Sequence, residues 1–261
     1  MMDYKNKSLE EFGRLLEIIE ELRAKCPWDM KQTNESLRKL TIEETYELAD
    51  AISSGNDEEI KNELGDLMLH IVFYAKIGVE QGTFTIADVL EGINKKLIYR
   101  HPHVFGDVQV SGASQVEENW EQLKIKENNG YKPVLSGVPS SLPAIIKANR
   151  IQEKVRGVGF DWENREQIWD KVLEEIHELK EEIANHTTDT IESELGDVLF
   201  SIINASRLYG IDPESALEKT NRKFIKRFNH LEKETISKGI SLHDMSLDEM
   251  NAIWEKAKKN D

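Results

Sequence analysis

The chain has 261 residues, room for one large domain or two of ordinary size, and its 39% hydrophobic and 32% charged composition excludes general disorder. Its 49 acids against 34 Lys and Arg leave a formal charge of −15, a field that repels polyanions and argues against binding to nucleic acid or an acidic membrane surface. One cysteine, Cys26, cannot make an internal disulfide, the N-terminus has no apolar signal region, and the longest apolar run, Leu67–Ala75, is interrupted by His70 and far too short to span a membrane, so a cytoplasmic protein is expected.

Leu9, Phe12, Leu15, Leu16, Ile19 and Leu22 recur at the 3–4 spacing of an amphipathic helix and predict the first element. Helices are then predicted over 35–54, 57–81, 85–99 and 114–127, with turns at Ser53-Ser54-Gly55-Asn56 and Gly82. A stretch rich in breakers follows: Gly130, Pro133, Gly137, Pro139 and Pro143, interleaved with serines. It predicts a linker over 129–144 that packs on a neighbour through Tyr131, Val134, Leu135 and Val138. Further helices are predicted over 164–185, 188–209, 213–236 and 246–259, the third opened by Asp212 as N-cap and Pro213 at N1. Nothing alternates persistently with period two, so the expected fold class is all-α.

The two halves repeat each other. TIEETYELADAI (Thr41–Ile52) aligns with VLEEIHELKEEI (Val172–Ile183), and the offset that carries Glu44 to Glu175 also carries Glu63 and Asp66 to Glu194 and Asp197. Upstream, CPWDMKQT resembles VGFDWENR; downstream, after a slip in register, NKKLIYR matches NRKFIKR, and each copy finishes near a tryptophan, Trp120 or Trp254. The domain organisation expected is therefore two homologous helical bundles, 1–128 and 145–261, joined by the linker.

On a helix, residues three apart share a face, so Glu44 and Glu47 form a pair, as do Glu63 and Asp66, Glu175 and Glu178, and Glu194 and Asp197. If consecutive helices pack antiparallel across their short turn, the four carboxylates of each copy converge. Four unpaired acids repel one another, and a hard divalent cation, Mg²⁺ or alternatively Mn²⁺, is the natural partner of an all-oxygen set. Gly65 and Gly196, inside E-L-G-D, each cost about 1 kcal/mol against alanine in a helix; they are expected where a backbone or ligand comes close. Lys223 and Arg227, four apart, could hold phosphate oxygens, and Lys96 and Arg100 are their first-half counterparts. Lys171 also faces the second cluster, whereas the same register in the first half is Leu40.

Blander readings exist for these features. An E-E-x-x-E in so acidic a chain is often a solvated helix face, and a helical regulatory or interaction module could keep the acids as scaffolding. Glu174-x-x-His177 has the spacing of a di-iron carboxylate site, but the first-half counterpart of His177 is Tyr46. His101 and His103, flanking Pro102, read as hydrogen-bonded histidines in a turn rather than a metal pair.

CPWDMKQT, TIEETYELADAI, ELGDLMLHIVFYA and RHPHVFGD in the first half, with VGFDW, EEIHELKEEI, ELGDVLFSIIN and KTNRKFIKRF in the second and GVPSSLPAIIKANRIQEKV between them, resemble the MazG nucleoside triphosphate pyrophosphohydrolases. The resemblance implies a Mg²⁺-dependent hydrolase that cleaves the α–β phosphoanhydride of nucleoside triphosphates to monophosphate and pyrophosphate, typically as a homodimer. It implies that the C-terminal repeat carries most of the activity, with Glu175, Glu178, Glu194 and Asp197 as metal ligands. Nucleotide contacts are implied at Lys171, Thr190, Ile191, Glu192, Ser193, Lys223, Arg227 and Trp254. Glu44, Glu47, Glu63 and Asp66 also fit the motif and would make a second metal site, whose competence Leu40 puts in question. On chemical grounds Glu174 is a candidate to orient the attacking water, and Lys223 and Arg227 to steady charge on the leaving pyrophosphate.

Overall fold

The computed structural model describes residues 2–112, 115–116, 119–120, 123, 133–185, 188–237 and 239–259, and these contain helices and no strand. They fall into two compact units, Met1–Val110 and Ser111–Asp261.

In the first unit α1 spans Met2–Lys25, α2 Asn34–Ser54, α3 Asp57–Gln81, α4 Ile86–Arg100 and the short α5 Pro102–Phe105. The boundaries have local causes. Thr33 opens α2 with a reciprocal capping box to Ser36, and Thr85 opens α4 in the same way with Asp88, devices worth about 1 kcal/mol each. Gly55, in the left-handed region at φ 69°, closes α2, and the Asn56 side chain accepts from Glu59 N–H to start α3. That two-residue connection turns α3 back antiparallel to α2. The core holds Ile19 of α1, Leu37 of α2 and Val72, Phe73 and Ile77 of α3, with Leu40 and Tyr74 packed against it. Gly78 of α3 is a close-approach position: a Cβ there would sit 2.8 Å from Phe84 O and 2.9 Å from its ring.

In the second unit α6 spans Ala144–Arg156, α7 Gln167–Asn185, α8 Thr188–Leu208, α9 Pro213–Ile236 and α10 Leu247–Lys258. Asp212 caps α9, its carboxylate accepting from Ser215 N–H at 2.7 Å, with Pro213 in the first turn as expected. Helix α7 starts three residues later than predicted, after a turn in which Asn164 N–H donates to Gln167 Oε1. Helix α6 was not predicted from the sequence. Ahead of it Val134–Gly137 forms a 3₁₀ turn, and Lys154 of α6 donates to Val134 O, so this part of the breaker-rich stretch folds onto α6. The helix predicted over 114–127 and linker residues 129–132 fall largely outside the described residues. The α7–α8 pair is held by Ile168, Val172 and Ala205 with Ile176 and Leu208. Ile168 stands where Leu37 stands in the first half, and each is only 1% exposed.

Candidate active site

Antiparallel packing of α2 on α3, and of α7 on α8, turns the sequence pairs into clusters. Carboxylate oxygens of Glu175, Glu194 and Asp197 lie within 4.8 Å of one another, and so do those of Glu44, Glu63 and Asp66. Glu178 and Glu47 are exposed and stay outside these groups, although their charges act on them.

Electrostatics mark both clusters as sites that favour a cation. Burial, then the charges of Glu178 and Asp197, raises the pKa of Glu194 above its ordinary value. Burial, then Glu47 and Asp66, does the same to Glu44 and Glu63. An all-oxygen donor set with raised carboxyl pKa values fits a hard divalent ion, which would reverse those shifts.

The halves differ in their cations. Lys171 Nζ lies 2.8 Å from Oε1 of both Glu174 and Glu175, and hydrogen bonds to Glu174 and then Glu175 hold it protonated well above the usual lysine range. Leu40, at the equivalent place, packs instead against the core of the first unit. Elsewhere in the second unit Arg227 of α9 lies over the Trp254 ring, 5.8 Å from its centroid, and Phe224 meets the same ring. Lys223, one turn before Arg227, is exposed. Thr190, Ile191, Glu192 and Ser193 occupy the first two turns of α8, with all but Ile191 exposed. The N-terminal end of a helix presents free N–H groups and favours anions.

A Cβ at Gly65 or Gly196 would meet nothing within 4 Å, so no close approach within either unit requires these glycines. His177 pairs with Glu181 at 3.5 Å and is largely exposed, while Glu174 pairs with Lys171, so the E-x-x-H spacing does not bring a histidine to the carboxylates. His101 Nδ1 hydrogen-bonds Leu97 O at 2.7 Å, in keeping with a satisfied turn histidine.

A cavity of about 470 Å³ opens beside the second cluster, with Lys171, Glu175 and Asp197 in its wall. Its other walls went unsuspected from the sequence. Gln152 of α6, Phe160 and Trp162 of the following loop, and Phe200 and Asn204 of α8 all line it. The loop is tied down at Asp161. Arg207 Nη1 donates to its Oδ2 at 3.1 Å, Arg207 Nη2 to its Oδ1, and Trp162 N–H to Oδ1 at 2.9 Å. One signal was available in the repeat: Asn204 stands where the first half has the core residue Phe73, a polar side chain in place of an apolar one.

Fold and site together define an all-α protein built twice around a helix-pair carboxylate cluster, with a lysine beside the second of the two. The chain belongs to the MazG family: the MazG nucleotide pyrophosphohydrolase domain matches residues 32–105 and 163–232. Over 253 residues it is 46% identical to the nucleoside triphosphate pyrophosphohydrolase/pyrophosphatase MazG of Thermotoga maritima, covering 96% of each chain. Over 260 residues it is 38% identical to the nucleoside triphosphate pyrophosphohydrolase of Escherichia coli K12, covering 97% of this chain and 99% of that one. It also matches YabN of Bacillus subtilis, at 44% identity over 255 residues and 52% of that protein's length. The resemblance read from the motifs is thereby borne out.

Proposed function

We propose that this protein hydrolyses nucleoside triphosphates to monophosphate and pyrophosphate with Mg²⁺, and that the second half is the principal site. The observation that carries the reading is the Glu175–Glu194–Asp197 cluster with Lys171 on its edge, in a chain whose near-full-length relatives are named nucleoside triphosphate pyrophosphohydrolases. Glu175, Glu178, Glu194 and Asp197 would hold Mg²⁺, or Mn²⁺ with the same donor preference. Bound there, the ion supplies neutralisation of phosphate oxygens and a lowered pKa for a water.

The chain's own groups do the rest. Lys171, beside Glu174 and Glu175, would hold a phosphate oxygen. Glu174 would accept a hydrogen bond from the attacking water and orient it. Lys223 and Arg227 receive charge from the leaving pyrophosphate, with Arg227 kept in orientation by its stack on Trp254. Thr190 to Ser193, in the first two turns of α8, sit near the positive end of its helix dipole, which favours an anion. The first cluster, Glu44, Glu47, Glu63 and Asp66, is proposed to bind a cation without matching turnover, since Leu40 replaces the lysine.

A homodimer belongs to the same proposal. Leu195, Leu199 and Ile202 form an exposed stripe along α8, and Leu64, Met68 and Ile71 repeat it at the equivalent places on α3. Such stripes on helices that carry the clusters suit burial by a second copy. A cytoplasmic location, without nucleic-acid or membrane partners, completes the proposal; no helix among the described residues is long and apolar enough to cross a membrane. The test is product analysis. Purified protein with Mg²⁺ should release monophosphate and pyrophosphate from nucleoside triphosphates, and release of orthophosphate alone would overturn the assignment.

A further inference from the structure

The cavity beside the second cluster holds two hydrogen-bonding groups whose identities are settled by their neighbours. Gln152 is 3% exposed, and its amide donates from Nε2 to Phe200 O at 2.9 Å. A carbonyl can only accept, so the amide cannot be reversed, and its Oε1 is a buried acceptor with no partner. Such an atom is costly to leave unsatisfied. Asn204 accepts at Oδ1 from Arg207 Nε at 3.1 Å and Nη2 at 2.8 Å. A guanidinium can only donate, so this amide is fixed as well and presents Nδ2 as a donor. The two residues that carry this acceptor and this donor of fixed polarity both line the same space.

The rest of the lining is aromatic and apolar. Phe160, Trp162 and Phe200 stand around the cavity with ring surface exposed, Phe160 by 79%. Flat faces plus a donor–acceptor pair match a planar heterocycle, and 470 Å³ lies within the range of small-molecule pockets, about 300–1,000 Å³. At one side of this space lie Lys171, Glu175 and Asp197, where a phosphate chain would meet its cation. In the first half Phe73, equivalent to Asn204, is 2% exposed and part of the core, so the corresponding place is filled by the protein's own ring.

We propose that this cavity is the nucleobase pocket of the second site, with Gln152 Oε1 accepting from an amino or ring N–H group of the base and Asn204 Nδ2 donating to a neighbouring ring nitrogen or carbonyl. The inference rests on the triphosphate reading above and adds the residues that make the site recognise a base as well as a polyphosphate. It also gives a physical reason for the halves to differ in ligand as well as in cation.

The test is calorimetric binding, with Mg²⁺, of the non-hydrolysable α,β-imido triphosphates of adenosine, cytidine, guanosine and uridine, alongside inorganic tripolyphosphate, which lacks a base. Gln152→Met keeps the side-chain volume and removes the acceptor. It should weaken the best-bound nucleotide about tenfold, the worth of one good hydrogen bond, and leave tripolyphosphate within twofold. Asn204→Asp keeps the acceptor for Arg207 and replaces the donor, so it should reorder the preference among the four bases; it decides the matter if Gln152→Met does not fold. Unchanged nucleotide affinity in both variants, or equal losses for nucleotides and tripolyphosphate, overturns the pocket. Pyrophosphate release by the unaltered protein is scored separately, so a failed hydrolase reading with base-dependent binding intact is distinguishable from a working hydrolase that ignores Gln152.

Discussion

Lys171 Nζ lies 2.8 Å from Glu175 Oε1, so the second cluster carries its own cation on a carboxylate that the reaction would need for a metal. Glu175 is also the most buried acid of that cluster, its side chain 10% exposed. The lysine therefore offsets a charge that would otherwise sit desolvated and alone, a situation that is costly in a protein interior. Metal binding and release of Lys171 are competing claims on one carboxylate.

That competition predicts opposite effects from one change. Lys171→Met should bind Mg²⁺ severalfold more tightly without nucleotide, because a rival cation is gone, yet lose about tenfold or more in kcat/KM for nucleoside triphosphates. Metal titration by calorimetry and steady-state pyrophosphate release check the two signs. Weaker metal binding in the variant would mean that Lys171 organises the carboxylates rather than competing for them.

The halves should divide labour unequally. Glu175→Gln removes a proposed direct ligand and should lower turnover by at least about 100-fold, since changing even an outer partner of a metal ligand costs about 10–100-fold. Glu44→Gln alters the cluster beside Leu40 and should leave most activity. Turnover measured for both variants decides it, and equal losses would refute the division.

Much of this was legible in advance because helical geometry converts spacing directly into faces. Glu44 and Glu63, or Glu175 and Glu194, share a cluster because each lies on the core-proximal face of a helix and a short connection folds the helices together. The nucleobase cavity was not legible, since Gln152 and Asn204 reach it from helices brought together only by tertiary packing, and one of those helices was itself missed. Helix α6 hides behind Pro139 and Pro143, and Pro143 at its start offers no side-chain cap.

Stability should fall with acidity in a way that Asp161 controls. Burial pushes its carboxyl up, but the hydrogen bonds from Arg207 and Trp162 N–H, with the charges of Arg207 and Arg156, outweigh it and hold the pKa below its ordinary value. The unfolded carboxyl then binds more protons than the folded one between the two pKa values. Its contribution is therefore complete above the unfolded value, about pH 4, and is lost as pH falls through the folded value. Asp161→Asn should cost about 1–3 kcal/mol near neutrality, with the gap to the unaltered protein closing in acid. Urea unfolding across pH checks this, and a gap that widened as pH fell would contradict it.

The glycines of E-L-G-D give the last test. A Cβ at Gly196 meets nothing within 4 Å, and backbone entropy makes glycine about 1 kcal/mol worse than alanine within a helix. Gly196→Ala is accordingly expected to raise stability by about that amount where α8 has no neighbour at this position. The measurement is best made against Leu199→Glu, which places a charge on the exposed stripe proposed to face a second copy and should give monomers by sedimentation equilibrium. In that monomeric background the alanine should stabilise fully. If the same alanine destabilises the unaltered protein, the second copy approaches α8 closely enough to explain why glycine stands between two site acids.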